Sequence, residues 1–166
     1  MLRNGIPLAL VAGAIALAAV DLGNAQAPAS AHTATPEAYR PSFGDLMTIA
    51  IQPRHTKLGL AGQERNWPYA AYEFRELQSA FARTAATVPT YRSMNTADLI
   101  RATIKAPMDD VGAAITAGDD AKFAEAYARL TATCNACHQS TDHSAVIIQI
   151  PKTSSYPDQD FRPQKP

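Results

Sequence analysis

The chain has 166 residues, and its fifteen Lys and Arg balance fifteen Asp and Glu to a formal net charge of zero. That length suits one domain, the charge balance lacks the basic excess of a nucleic-acid binder, and 46% apolar content excludes a fully disordered chain. Two cysteines are too few for a disulfide scaffold, and plentiful alanine with few aromatics leans towards helix.

The amino-terminal segment carries its own signature. Met1-Leu2-Arg3 is basic, Ile6 to Val20 is an uncharged run of fifteen residues, and the small residues Gly23-Asn24-Ala25 and Ala25-Gln26-Ala27 follow. A basic start, an apolar stretch and an A-x-A-like end describe a secretory signal peptide. A membrane span wants about 20 apolar residues, so an uncleaved anchor is the second reading and a buried helix the third. Cleavage is expected after Ala25, because a cut after Ala27 would leave Pro28 at the new terminus. Residues 1–25 are thus expected to be removed and 26–40 to form a flexible leader. The periplasm is the expected location, with no stable membrane insertion after cleavage. That compartment permits oxidative cysteine chemistry.

Four helical segments are predicted in the domain 41–142. The first begins at Ser42, three residues before Asp45, in a capping-box pattern. Leu46, Met47, Ile49, Ala50, Ile51, Leu58 and Leu60 supply its apolar positions, Pro53 is expected to kink it, and Gly62 to end it. Asn66 is the expected N-cap of the second, with Pro68 in its first turn. Ala70, Phe74, Leu77 and Phe81 mark its apolar face, and Pro89 closes it. Asn95 and Thr96 can cap the third, where Ile100, Ile104, Met108, Val111 and Ile115 repeat at helical spacing. Pro107 is a second expected kink and Gly118 the C-terminal cap. Asp119 or Asp120 caps the fourth, whose stripe Phe123, Tyr127, Leu130, Cys134, Cys137 steps by four, three, four and three. Segments of about 20 residues, roughly 30 Å each, joined by short connections predict an all-α, up-down-up-down four-helix bundle. The proline-bearing tail 143–166 is expected to lie as extended chain over it, with Val146 to Ile150 as its one apolar run.

The fourth stripe ends in Cys134-Asn135-Ala136-Cys137-His138, a C-x-x-C-H sequence that reads as a c-type haem attachment site. Two thiols three residues apart on a helix can each add to one vinyl group of the porphyrin, forming thioethers. His138, four residues from Cys134, lies on the same face and is the expected proximal iron ligand. A thioredoxin-like dithiol would sit near a βαβ pattern, which the chain lacks. A zinc site would have only His138 and His143 beside the two cysteines, a poor tetrahedral cage. One covalent haem c is therefore the expected cofactor.

The distal side is open to more than one reading. No methionine follows His138, so a sulfur ligand must come from Met47, Met94 or Met108, with His32 and His55 as imidazole alternatives. At the start of an up-down bundle's first helix, Met47 lies beside the end of the fourth and is the first candidate. His55 is the second, and an open site the third. As plain structure, Met47 is a core side chain and His55 a surface histidine beside Arg54 and Lys57. Arg54, Lys57 and Arg65 are possible propionate partners but more ordinary as solvated charges. Trp67, Tyr69, Tyr72 and Phe74 are similarly more ordinary as core than as porphyrin contacts.

These residues resemble the class II c-type cytochromes, the cytochrome c-prime and cytochrome c-556 group. The resemblance implies a periplasmic four-helix bundle with C-x-x-C-H near the end of the fourth helix. It implies a Met on the first helix as ligand in six-coordinate members, a place matched by Met47. It also implies an unligated site that binds nitric oxide or carbon monoxide in cytochrome c-prime. Arg54-His55-Thr56-Lys57-Leu58, Ala61-Gly62, Asn66-Trp67 and Ala71-Tyr72-Glu73 are also similar to a set of small proteobacterial cytochromes. The chain differs in Gln139-Ser140-Thr141 after the histidine, in its long tail and in Pro53 and Pro107. The expectation is single-electron transfer between periplasmic donor and acceptor proteins, without enzyme activity. A homodimer is compatible with it, and a gas-binding protein with an open distal site is the alternative.

Overall fold

A computed structural model describes residues 38–165. The expected signal peptide, the leader as far as residue 37, and His32 lie outside the described residues. The described chain is mostly helical. Helix α1 (Phe43–Leu46) opens with the capping box expected of Ser42 and Asp45, the Ser42 hydroxyl accepting from the Asp45 amide and the Asp45 carboxylate from the Ser42 amide. It runs into a π-helical turn, Met47–Ile51, and then into α2 (Gln52–Gln63). The expected kink at Pro53 takes this form. In an α-helix the proline ring would collide with the carbonyl of Ile49. In the π turn immediately before it, the Gln52 amide reaches back five residues to the Met47 carbonyl.

Helix α3 spans Trp67–Thr87, α4 spans Thr96–Ala117 and α5 spans Asp120–Ser140. Asn66, Asn95 and Asp119 cap them through their side chains, accepting from the amides of Tyr69, Asp98 and Lys122. Gly118 ends α4 at φ 62°, as its sequence position predicts. Helix α4 continues through Pro107. One expectation is corrected: α2 passes Gly62 to end at Gln63, with Arg65 taking the left-handed conformation at φ 55°. Gly62 serves packing instead: any Cβ there would collide with the Phe123 ring of α5.

Between α3 and α4 a two-residue hairpin, β1 (Thr90–Tyr91) with β2 (Met94–Asn95), pairs antiparallel in the register Thr90 to Asn95 and Tyr91 to Met94. Helix α2 packs on α3, α3 on α4, α4 on α5, and α2 also meets α5. Leu58, Leu77, Val111 and Leu130, one from each long segment, have at most 1% exposure. At about 1.5–3 kcal/mol for each such side chain removed from water, this shared core is what holds the helices together.

The tail forms no strand at Val146 to Ile150 and crosses the helices as irregular chain. Gln63 donates to the Pro151 carbonyl at 3.0 Å, and Asn66 to the carbonyls of Phe161 and Arg162 at 3.1 Å each. Phe161 is buried, its ring stacked on Tyr69 at 5.4 Å. The Lys57 ammonium sits 4.5 Å from the centre of the Tyr156 ring.

Candidate functional site

The last turns of α5 carry Cys134, Cys137 and His138, and they face a cavity at the end of the molecule where α5, α1, the π turn and the start of α4 converge. Met47, Ile51 and His55 line it from the first helical run, Phe81 from α3, and Leu99, Ile100, Thr103 and Ile104 from α4. Tyr91 closes it from the hairpin and Val146 and Ile148 from the tail. The cleft, open solvent at its mouth included, is about 1120 Å³. Sites of this kind, mostly apolar with a few convergent polar groups, suit a large organic ligand.

Both cysteines are free. Burial pushes the Cys134 thiol up to about 11, with the neighbouring Cys137 adding to the shift. Burial raises Cys137 as well, against a hydrogen bond with Thr103. A reactive dithiol needs a lowered pKa, commonly at a helix N-terminus. These thiols sit at the carbonyl end of α5, where the dipole disfavours a thiolate, and at neutral pH they are protonated.

His138 is half-buried and its Nδ1 lies 2.7 Å from the Val146 carbonyl oxygen. A carbonyl can only accept, so Nδ1 carries a proton, and in the neutral ring the lone pair is then on Nε2. This is the tautomer in which a histidine is ready to bind a metal through Nε2.

His55 is engaged differently. It is 4% exposed, with Nε2 3.0 Å from the Thr131 hydroxyl and Nδ1 3.0 Å from the Tyr127 hydroxyl, and its ring stacks on Tyr127 at 4.7 Å. Burial lowers its pKa from 6.5 to about 4, so it is neutral at pH 7. Both of its nitrogens are already partnered. Met47, half-buried at the first position of the π turn, faces the cavity without such ties.

Other candidates lie away from the cavity. Met108 is core at 4% exposure, and Met94 belongs to the hairpin. Arg54 pairs with the buried Glu73 at 3.1 Å and with Glu76 at 3.5 Å, Arg65 with Asp120 at 2.5 Å, and Lys57 with the Tyr156 ring. Trp67 meets Phe123 edge-on at 5.9 Å, and neither it nor Tyr69, Tyr72 or Phe74 lines the cavity. Tyr91, stacked on Phe43 at 4.3 Å, and His143 do line it, and sequence reasoning placed neither there. The hairpin that brings Tyr91 in is fastened by Arg92, which donates to the Asp142 carboxylate at 2.8 Å and the Thr141 carbonyl at 3.1 Å.

Among the described residues, no three His, Cys, Asp or Glu side chains converge into a cage for a bare metal ion. Comparison with protein-family models, curated proteins and solved structures finds no match to this chain.

Proposed function

We propose that this protein is a c-type cytochrome that carries one covalent haem and passes single electrons between periplasmic partner proteins. The observation that carries the reading is His138: its Nδ1 is tied to a backbone carbonyl at 2.7 Å, while two neutral thiols of the same C-x-x-C-H line the same cavity. Haem would supply a one-electron Fe(III)/Fe(II) couple, tuned by axial ligand, hydrogen bonding and burial. Cys134 and Cys137 would hold it through thioethers, and His138 Nε2 would be the proximal ligand. Met47 is the distal candidate favoured over His55, because binding through His55 would cost it one of two buried hydrogen bonds. Ile51, Leu99, Ile100 and Ile104 would keep water from the ring faces.

The four long helical segments are read in this proposal as an up-down-up-down bundle, supported by short connections and by packing between successive helices. In that layout α1 would lie beside the end of α5, and the cavity that both line supports it. The resemblance to class II cytochromes c supports the same layout.

The test is spectroscopic. Protein from a host competent in cytochrome c maturation, extracted with acid acetone, should retain its colour and give the absorption of a two-thioether haemochrome. Cys134→Ser or Cys137→Ser should shift the reduced α-band to the red through loss of one thioether. A colourless polypeptide of unmodified mass rejects the reading. Ferrous protein should be low-spin and indifferent to carbon monoxide, and Met47→Ala should turn it high-spin and carbon-monoxide-binding. A wild type that is already high-spin transfers the assignment to gas binding at an open distal site.

A further inference from the structure

His138 is oriented by the chain that follows it more than by its own helix. Helix α5 ends at Ser140, Asp142 adopts a left-handed φ of 59°, and the chain turns back beside the helix it has just left. The His143 amide donates to the His138 carbonyl at 2.7 Å and the Val146 amide to the His143 carbonyl at 2.8 Å, which shapes the return. The returning segment is then pinned at two points with a single residue between them. One is the His138 Nδ1 bond to the Val146 carbonyl, and the other is Ile148. Its amide donates to Asn135 Oδ1 at 2.7 Å, and its carbonyl accepts from Asn135 Nδ2 at 2.9 Å.

Asn135 stands between the two cysteines, three residues before His138, so both side chains project from one face of α5 towards the returning chain. A carboxamide offers one acceptor and a donor in a plane, the pattern needed to pair with both backbone groups of one residue. Packing cannot substitute for that pair. Val146 is 50% and Ile147 68% exposed, so little apolar burial holds this stretch.

We propose that Asn135 is a positioning residue for the axial histidine. By locking Ile148 it fixes the Val146 carbonyl against His138 Nδ1, and so sets the tautomer, the ring plane and the donor strength of the imidazole. The proposal rests on the haem reading above. A histidine ligand whose second nitrogen donates to a carbonyl is more basic and more firmly oriented than one without that partner. Loosening the clip should weaken donation to the ferric state and move the midpoint potential in the positive direction.

The experiment compares full-length haem-loaded wild type with Asn135→Ala, Asn135→Asp and Gln63→Ala. Asn135→Asp keeps an acceptor for the Ile148 amide and loses the donor, and serves if the alanine variant fails to fold. Gln63→Ala loosens the tail at Pro151 without touching the clip. Midpoint potential is read on each protein, and the iron–histidine stretching frequency of the ferrous carbon monoxide photoproduct is read with each change placed in a Met47→Ala background that opens the distal site, with haem content measured on every sample. A positive shift and a lower stretching frequency in the Asn135 variants, with Gln63→Ala at wild-type values, support the proposal. Unchanged values in the Asn135 variants, or equal shifts in Gln63→Ala, overturn it. Wild type that binds no haem would defeat the functional reading alone. Nitrogen-15 NMR of His138 then decides for Asn135: a protonated Nδ1 that becomes a tautomer mixture in Asn135→Ala supports the clip, and an unchanged tautomer overturns it.

Discussion

His55 shows how much a single buried ring can determine. Its proton affinity is depressed from 6.5 to about 4 because the charged form would lose its hydration. The unfolded chain therefore binds more protons than the native one between those two values. Stability is full above pH 6.5 and is lost as pH falls towards 4, by on the order of 3 kcal/mol. Denaturant titrations across that window should show the midpoint climbing with pH, and in His55→Gln the climb should flatten. At this scale the sequence was most legible where chemistry is local. Cys134, Cys137 and His138 occupy five consecutive positions, and the structure brings all three to one cavity. The partners of His55 are 72 and 76 residues away, and no spacing rule reaches that far. Its alternative reading as a surface histidine fails for the same reason: Arg54 and Lys57 beside it point to other partners while His55 turns inward.

Among the elements, the helix starts were readable because a cap is a contact between residues three apart. Ser42→Ala removes the hydroxyl that accepts from the Asp45 amide and leaves the Ser42 backbone amide bonded to the Asp45 carboxylate; it should cost about 1 kcal/mol of unfolding free energy, measured by urea denaturation. The ends and interruptions were less readable. Gly62 resembles a terminator, yet what requires glycine is the Phe123 ring lying against its backbone. Gly62→Ala should therefore destabilise by about 1–3 kcal/mol through overpacking, with helical circular dichroism unchanged at low temperature. The hairpin escaped notice because two-residue strands have no periodicity to display and Arg92-Ser93 is not one of the glycine-bearing turns that announce a hairpin. Proline at 53 was correctly read as a disturbance, but proline at 107 lies within an unbroken helix. The same residue type thus has two outcomes in one chain.

At the level of the molecule, an amphipathic pattern repeated four times was enough to expect helices around a shared core. The course of the tail was beyond it, because its anchors are polar side chains on distant helices meeting backbone groups. Phe161 is the apolar member of that set, at 6% exposure. Phe161→Ala should lower stability by about 3 kcal/mol, and limited proteolysis should then cut within residues 150–165 before the helices are touched. The return of the chain at Asp142 also has a bearing on how the molecule is put together. Synthesis runs from the amino terminus, so the helices and both thiols emerge while the wall contributed by Val146 and Ile148 does not yet exist. Under the haem reading proposed above, the cofactor would be attached through that missing side before residues 143–165 pack over the helices.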